Sequence, residues 1–372
     1  MNDTFRWHTG TRLIAAPAEL IALAALVQSG TGLRAGRDGV TGHAGADLLC
    51  ETSGSSGAPK VIRRTPNSWQ ASFAVNGAAF GLDTQACVAI FSGFGASLAL
   101  YAALEAAHHG AAIISLAQVR PDRWAATLAA QGATVLYLTP VQLDLLCASG
   151  APLPAVRHIV VGGGRLSMQT MAAALSACPN GKLVQFYGAA ETSFITWTDA
   201  ATPAGSVGKP YPEVTLRLDP EGVIWVRSPY LFHDYALGGS DDTRWDEGFL
   251  SVGEVGQLDA AGNLFLLGRK NRMVTVSDHN VFPEAVEAFL TSLLPMAQVA
   301  VVALPDPRRG ARLVAVLSGN CPLPEADILR SCRQQLGSNA APIRAHRISA
   351  MPMLPAGKPD YAAITELIQS LK

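Results

Sequence analysis

The sequence predicts an α/β protein with a large N-terminal domain, a small β-rich subdomain and a small, mobile α+β C-terminal domain. Apolar strand-like runs alternate with helix-like segments over residues 88–161, and short β runs separated by Gly, Pro and Asp follow from about residue 203. The last hundred residues mix both types of segment. A chain of 372 residues holds two or three domains at roughly 100 to 200 residues each.

The first region predicts a mostly parallel sheet with helices on both faces, because each crossover helix must cover the apolar face that it spans. Pro66 and Pro121 stand where the first turn of a helix accepts a residue without an N–H. The alternating strand and helix segments are, in order, VAIF, SLALYAALEAAHH, AAIISL, RPDRWAATLAAQ, TVLYL, PVQLDLLCAS and RHIVV.

The pattern change defines the predicted domains. The β-rich subdomain covers about 203–269 within an N-terminal domain of residues 1–270, and its strand-like runs are VTLRLD, VIWVRS and LFLLGR. The C-terminal domain covers residues 271–372. Its strand-like and helix-like runs are MVTV, PEAVEAFLTSLL, QVAVVAL, LVAVLS and EADILRSCRQQL.

Composition excludes several classes of function. The chain has 28 Lys and Arg against 29 Asp and Glu, a formal net charge of -1, 49% hydrophobic residues and 15% charged residues. Such a chain buries enough apolar surface to fold and lacks the positive field of a nucleic-acid binder. We therefore expect no nucleic-acid partner, and any polyanion must bind at a local site.

The cysteines and the N-terminus predict a cytoplasmic protein without a membrane segment. The six cysteines form no C-x-x-C pair and have no His at zinc-ligand spacing, which suits a reducing cytosol. Glu19 interrupts the apolar run near the N-terminus, against a secretory signal. The uncharged stretch 84–104 contains Gln85 and Gly93, so we interpret it as a buried strand and helix.

The strongest chemical signal is ETSGSSGAPK at residues 51–60, directly after the strand-like ADLLC. Its backbone N–H groups and hydroxyls can surround an anion, and Lys60 adds a positive charge. It departs from the mononucleotide pattern GxxxxGK[ST]. Alone, the segment fits a plain connecting turn as well as a phosphate site.

Five further segments favour the phosphate site over the plain connecting turn. They are VVGGGRLS at 160–167, VQFYGAAETSFIT at 184–196, GSVGKPYPEV at 205–214, GFLSVGEVGQLDAAGNLFLLGRKNR at 248–272 and MLPAGKPDY at 353–361. In this order, from about residue 47 to the C-terminus, the segments resemble the adenylate-forming superfamily: acyl-CoA synthetases, nonribosomal peptide adenylation domains and luciferase-like ligases.

The resemblance implies a two-step reaction. A small carboxylic acid reacts with ATP and Mg²⁺ to give an acyl-adenylate and pyrophosphate. A thiol, either CoA or the arm of an acyl or peptidyl carrier protein, then displaces AMP. Attack of an anion on a polyanion requires positioning and charge neutralisation above all.

The resemblance also assigns roles to residues of this chain. Lys358 would bridge the substrate and the α-phosphate, and Glu191 would serve as a catalytic residue and hold Mg²⁺. The pyrophosphate would be held by Thr52, Ser53, Gly54, Ser55, Ser56, Gly57 and Lys60. The remaining nucleotide-binding residues would be Gly163, Gly164, Tyr187, Gly188, Ala189, Ala190, Glu254 and Arg269. Outside the resemblance, Tyr187 and Glu191 could be a packed aromatic and a solvated acid, Arg269 a surface ion pair, and Lys358 part of a solvated turn.

Several positions depart from the family pattern. Asn271 stands at the hinge, where Asp or Lys is usual, and Ala190 replaces a Thr that could touch the α-phosphate. Asp278 stands where relatives carry a glycine beside the pantetheine route, so we expect the thioester step to be altered, slow or restricted to an unusual acceptor.

The segment FSGFG at 91–95 replaces an aromatic-plus-His pattern near the substrate. The candidate pocket residues are Phe94, Gly95, Gly162, Gly163 and Gly164, with ordinary sheet packing as the alternative. About fifty residues precede the phosphate loop, fewer than in typical members, which implies a more open pocket or its completion by a second subunit in a homodimer.

Three functions follow as hypotheses. The first is an acid–thiol ligase, the second an adenylating enzyme with a nonthiol acceptor, and the third a degenerate paralogue that binds nucleotide without turnover. The joint presence of Lys60, Glu191, Arg269 and Lys358 disfavours the third.

Overall fold

The structure is a computed structural model that describes residues 4–52, 60–354 and 359–371. Its contacts divide the chain into two compact units. Unit 1 comprises Met1–Arg217, Trp225–Val252 and Leu258–Phe265, and unit 2 comprises Leu218–Ile224, Gly253–Gln257 and Leu266–Lys372.

The helices and strands follow the predicted alternation. The helices are α1 (Ala18–Ser29), α2 (Pro66–Phe80), α3 (Ser97–His109), α4 (Pro121–Gln131), α5 (Pro140–Cys147), α6 (Met168–Ala177), α7 (Pro283–Leu293), α8 (Glu325–Ala340) and α9 (Tyr361–Ser370). The first strands are β1 (Leu13–Ile14), β2 (Gly32–Gly36), β3 (Gly39–His43), β4 (Leu48–Thr52), β5 (Lys60–Arg64), β6 (Cys87–Ile90), β7 (Ala112–Ser115), β8 (Val135–Leu138), β9 (His158–Val161), β10 (Lys182–Tyr187), β11 (Thr196–Trp197) and β12 (Lys209–Pro210). The later strands are β13 (Thr215–Leu218), β14 (Ile224–Arg227), β15 (Asp234–Leu237), β16 (Arg244–Asp246), β17 (Phe249–Ser251), β18 (Glu254–Leu258), β19 (Leu264–Arg269), β20 (Val274–Val276), β21 (His279–Val281), β22 (Ala297–Asp306), β23 (Gly310–Gly319) and β24 (Arg344–Arg347).

The largest sheet has eight strands in the order β1-β7-β6-β8-β9-β10-β11-β12. Within this order, the neighbouring strands β1, β7, β6, β8, β9 and β10 all pair in parallel. Because successive strand residues point to opposite faces, Val88 and Ile90 pack with α2 and α3, whereas Ala89 packs with α4, α5 and α6. Both faces are buried, which explains why these strands are continuous apolar runs.

A second sheet has the order β15-β5-β4-β2-β3. Strands β4 and β5 pair antiparallel, with Thr52 opposite Lys60 at the end of the ladder. The two residues that flank the predicted phosphate loop are therefore neighbours. Smaller sheets follow, with β13-β14-β17-β16 in one and β18-β19 in the other.

Unit 2 contains an α+β sheet built on the long β22–β23 hairpin, in the order β21-β20-β23-β22 with β24 paired to β23. Helices α7 and α8 cover it through Val286, Leu290 and Ile328, all fully buried. An α/β region followed by an α+β region confirms the predicted fold class.

Two further findings concern the cysteines and the helices. Cys50, Cys87, Cys147, Cys178, Cys321 and Cys332 are free thiols. In the described parts of the chain, no helix is both long and apolar enough to span a bilayer. Residues 84–104 form β6 and most of α3, as predicted.

Candidate active site

The parallel sheet brings two of the predicted motifs to one edge. Gly162–Gly164 follow β9, and residues 188–191 follow β10, which pairs with β9 in register from Lys182 opposite His158 to Gln185 opposite Val161. The carboxyl ends of parallel strands meet at the same edge, where α/β proteins bind ligands. The Gln185 side chain donates to the Gly164 carbonyl at 2.9 Å and ties the two segments together.

A tight turn over residues 188–193 presents Glu191. The N–H groups of Thr192 and Ser193 donate to the Ala189 carbonyl at 3.2 and 2.8 Å, and the Thr192 hydroxyl accepts from the Ala189 N–H at 2.9 Å. A Cβ on Gly188 would lie 1.7 Å from the Ser193 carbonyl oxygen. Only glycine fits this position, so the chain can reverse immediately after the half-buried Tyr187.

The Glu191 carboxylate has a partner that sequence analysis did not identify. The Tyr235 hydroxyl, on β15, donates to Glu191 Oε1 at 2.7 Å and lies 2.8 Å from the Thr243 hydroxyl. Burial raises the pKa of Tyr235, so the phenol stays neutral and remains a donor. The backbone of Glu191 is held as well, since its carbonyl accepts from the Phe232 N–H at 2.7 Å.

Lys60 also lies near Tyr235. Its ammonium nitrogen is 6.0 Å from the centroid of the Tyr235 ring, within reach of a cation–π contact. Tyr235 thus contacts both the predicted phosphate-binding lysine and the predicted metal-binding carboxylate. Ser53, Gly54, Ser55, Ser56 and Gly57, predicted between Thr52 and Lys60, lie outside the described residues.

Arg64 supports this region from beneath, and sequence analysis did not identify it either. The side chain is fully buried, and its guanidinium donates to the Ala190 carbonyl at 2.6 Å. Burial lowers the pKa of Arg64 to about 10, so it stays charged at neutral pH.

The predicted acid-pocket residues have mixed environments. The Phe94 side chain is only 3% exposed and belongs to the core. A Cβ on Gly95 would lie 2.9 Å from the Gly36 carbonyl oxygen. Gly162 is buried, whereas Gly163 and Gly164 are exposed. The Phe94 ring thus matches the alternative of ordinary packing, and the exposed glycines remain candidates for the pocket surface.

Unit 2 carries the other predicted nucleotide residues. Glu254 begins β18, Arg269 ends β19, and their side chains lie 3.6 Å apart as an ion pair. Asn271 lies in a 3₁₀ turn, Lys270–Arg272. The predicted catalytic Lys358 lies outside the described residues.

Asp278 occupies a tight hairpin turn in unit 2. Ser277 and Asp278 connect β20 to β21, and their φ angles are +48° and +64°. A two-residue turn with both φ angles positive favours Gly, Asn or Asp, so Asp278 fits this turn. Arg309 holds this turn, because its Nε donates to the Ser277 hydroxyl at 3.1 Å and its carbonyl accepts from the Ser277 N–H at 2.9 Å. Asp278 itself is exposed.

The donor set of unit 1 fits magnesium bound with a nucleotide. Over residues 4–52, 60–354 and 359–371, no three His, Cys, Asp or Glu side chains are grouped so that they could hold a metal. Mg²⁺ usually needs only one or two carboxylates together with substrate phosphates and water. A carboxylate such as Glu191, which shares Tyr235 as a neighbour with Lys60, suits that arrangement, whereas a resident metal centre would need more protein ligands.

A glycine turn that presents an acid, a strand pair on either side of the serine-rich segment 53–59, and a lysine that shares Tyr235 with that acid are features expected of a nucleotide-binding α/β protein. The chain belongs to the AMP-binding enzyme family. The model of that family matches residues 48–236, and that of the AMP-binding enzyme C-terminal domain matches residues 285–358. The predicted resemblance to the adenylate-forming superfamily is confirmed.

Three similar proteins illustrate the relationship. An uncharacterized acyl–CoA ligase, YhfT of Bacillus subtilis (strain 168), is 30% identical over 322 residues, which cover 82% of this chain and 65% of YhfT. The amide bond synthetase McbA from Marinactinospora thermotolerans has a TM-score of 0.74 at 25% identity, over 86% of this chain and 68% of McbA. The o-succinylbenzoate CoA synthetase MenE from Bacillus subtilis, in complex with ATP and magnesium, has a TM-score of 0.77 at 20% identity. The match covers 86% of this chain and 69% of MenE. The chain thus spans about two thirds of the length of these proteins.

Proposed function

We propose that this protein is an AMP-forming acid–thiol ligase. An oxygen of the substrate carboxylate attacks the α-phosphorus of ATP, the bond to the bridging oxygen breaks, and pyrophosphate leaves. A thiol sulfur of CoA then attacks the acyl carbon, AMP departs and the thiol proton passes to solvent. The observation that carries the proposal is the contact of one tyrosine, Tyr235, with both Lys60 and Glu191.

Unit 1 would neutralise the phosphates. Lys60, with Thr52 and residues 53–57, would hold the departing pyrophosphate. Mg²⁺ on Glu191 would supply further positive charge at the phosphate oxygens. The Tyr235 hydroxyl fixes one Glu191 oxygen at 2.7 Å, and the other oxygen would bind the metal. The adenine and the α-phosphate would lie along Gly163, Gly164 and residues 187–190.

The other nucleotide contacts are proposed in unit 2. Glu254 would accept the ribose hydroxyls, and Arg269, paired with it at 3.6 Å, would contact the ribose or a phosphate. Lys358 would bridge the substrate carboxylate and the α-phosphate. Asn271 would be the hinge between a domain of residues 1–270 and a mobile domain of residues 271–372.

The acceptor has two candidates. YhfT, at 30% identity, is named as an acyl–CoA ligase, which favours CoA, and a carrier-protein arm presents the same thiol chemistry. A nonthiol acceptor such as an amine is the second candidate, because Asp278 places a carboxylate where a glycine is expected. The amide bond synthetase McbA, at 25% identity, supports that alternative.

The cellular location and the oligomeric state are also proposals. We place the enzyme in the cytoplasm, which is supported by its six free cysteines. A homodimer is the proposed assembly.

The decisive experiment measures acid-dependent exchange of labelled pyrophosphate into ATP with aryl, short-chain and medium-chain acids. A positive acid is then incubated with CoA, holo-carrier protein or an amine, and the product is identified by mass spectrometry. Lys60→Met should abolish exchange, whereas Lys209→Met, which removes an exposed lysine of unit 1, should not. Absence of exchange with every acid would refute the proposal.

A further inference from the structure

A fully buried arginine that the proposed reaction does not use lies beneath the Glu191 turn. Arg64 is the last residue of β5 and is 0% exposed. Within the described residues, none of its nitrogens lies within 4.0 Å of a carboxylate oxygen. Burying a charge without an ion pair is costly, so other groups must satisfy the guanidinium.

Three of those groups belong to the two segments that surround Glu191, and the fourth, Ser68, belongs to α2. Arg64 Nη2 donates to the Ala190 carbonyl at 2.6 Å, and Nη1 donates to the Ser193 hydroxyl at 2.9 Å. Nη1 also lies 3.3 Å from the Tyr230 carbonyl and 3.1 Å from the Ser68 hydroxyl. A planar fork with several donors can hold several acceptors at once, which a lysine ammonium cannot do with the same geometry.

Ser193 extends this connection. Its hydroxyl donates to the Tyr230 carbonyl at 3.0 Å and accepts from Trp69 Nε1 at 3.3 Å. The backbone φ of Ser193 is +56°, a conformation that a non-glycine residue keeps only when its surroundings hold it. The Trp69 ring lies against the guanidinium, with its centroid 5.0 Å away. The arginine and the turn are thus fixed together.

Glu191 lies between the residues that Arg64 holds. Ala190 precedes it, Ser193 follows two positions later, and Tyr230 comes two residues before Phe232, whose N–H donates to the Glu191 carbonyl. Arg64 therefore fixes both the turn that carries Glu191 and the segment that supports it. Removing these contacts would free the carboxylate to move relative to Lys60 and Tyr235.

We infer that Arg64 is a positioning residue that orients the Glu191 carboxylate toward a magnesium ion held with the nucleotide. This inference rests on the proposed function for the role of Glu191. Groups that orient a metal-binding side chain typically change metal affinity or activity by about 10- to 100-fold when they are lost. Arg64 would act through Ala190 and Ser193 and would touch neither substrate nor metal.

The test compares two adjacent arginines in the full chain. Arg64→Lys keeps the charge and loses the fork, whereas Arg63→Lys changes a half-exposed arginine of the same strand, which pairs with Asp234 at 3.4 Å. The magnesium concentration for half-maximal pyrophosphate exchange, the KM for the acid, and amide hydrogen exchange of residues 187–195 are measured for each.

We expect Arg64→Lys to raise the magnesium half-saturation about 10- to 100-fold and to leave the KM for the acid within about twofold. Amide exchange should accelerate in residues 187–195 and not in unit 2. Arg63→Lys should match the wild type. An unchanged magnesium half-saturation, or faster exchange throughout the chain, would overturn the inference.

Two provisions keep the test decisive. If Arg64→Lys does not fold, Ser193→Ala removes one acceptor while Arg64 remains, and a smaller shift in the same direction is required. If the wild type catalyses no exchange reaction with any acid, the proposed function fails, but the local amide exchange still decides whether Arg64 holds the turn.

Discussion

The Glu19 carboxylate accepts a hydrogen bond from the backbone N–H of Phe94 at 3.0 Å. Glu19 lies in the first turn of α1, and Phe94 lies in the segment after β6 that the sequence predicts beside the acid. A Cβ on Gly93 would lie 3.1 Å from Glu19 Oε2. The N-terminal helix therefore packs closely on this segment and restricts its conformations.

Glu19→Ala should weaken acid binding. A hydrogen bond to a charged group contributes about 1.5 to 3 kcal/mol, so a roughly tenfold rise in the KM for the acid is expected, with the KM for ATP unchanged. Glu19→Gln keeps an acceptor oxygen and should lie between Ala and the wild type. Equal changes in both KM values would show that Glu19 supports the whole unit instead.

Glu191→Gln should reduce pyrophosphate exchange about 100- to 1,000-fold, the usual range for one group that stabilises a transition state. The amide can still accept from Tyr235, so the fold should be retained. Tyr235→Phe removes only the hydroxyl that holds Glu191 Oε1 and should have a smaller effect that added magnesium partly restores. Magnesium titrations of both variants measure this difference.

Lys358→Ala should reduce the adenylation rate about 100- to 1,000-fold and leave the unfolding transition unchanged. The reason is the loss of a positive charge between two anions in the transition state. Arg330→Ala removes an exposed cation of α8 that pairs with Asp327 of the same helix, and it serves as the control. An unchanged exchange rate would show that Lys358 takes no part in adenylation.

Asp278→Gly should leave pyrophosphate exchange unaltered and accelerate thioester formation with CoA. Glycine adopts a φ of +64° without strain and removes the carboxylate. Asp278→Asn keeps the size of the side chain and removes only its charge, so it separates repulsion of the CoA phosphates from obstruction. If neither variant changes the thioester rate, Asp278 is not the obstacle and a different acceptor is favoured.

The sequence predicts those helices and strands that depend on patterns of neighbouring residues. The apolar runs that form β6 to β10 and the prolines that begin α2 and α4 are visible as patterns. The β2–β3 hairpin was not predicted, because its GLRAG and GVTGH segments are short and rich in glycine. The alternation of apolar and polar residues in these two segments is too weak to predict strands.

The supporting residues of the site could not be predicted, because each contacts a partner far along the chain. Glu19 and Phe94 are 75 positions apart, Arg64 and Ala190 are 126, and Tyr235 and Glu191 are 44. Motifs record residues near one another in sequence. Only the folded chain shows which side chains hold a motif in place.

A buried acid in unit 1 makes stability depend on pH. Glu105, on α3, is fully buried and accepts from the Tyr101 hydroxyl and the Asn76 amide, both at 2.9 Å, and from the Tyr137 hydroxyl. Burial raises its pKa from 4.5 to about 7, although these hydrogen bonds oppose the rise. The folded protein thus binds a proton here more tightly than the unfolded chain.

Between pH 4.5 and 7 the folded state holds more protons at Glu105, so the free energy of unfolding should fall as pH rises. The stabilisation is complete below pH 4.5 and is lost as pH passes about 7, a change of order 3 kcal/mol. Glu105→Gln resembles the protonated acid and should remove this slope, which makes the variant more stable than the wild type at pH 8 but not at pH 5. Urea unfolding at intervals from pH 5 to 8 measures this pH dependence of the free energy of unfolding. Glu366→Gln, which changes an exposed acid of α9, serves as the control. Parallel curves for wild type and Glu105→Gln would mean that Glu105 stays ionised throughout, stabilised by its three donors.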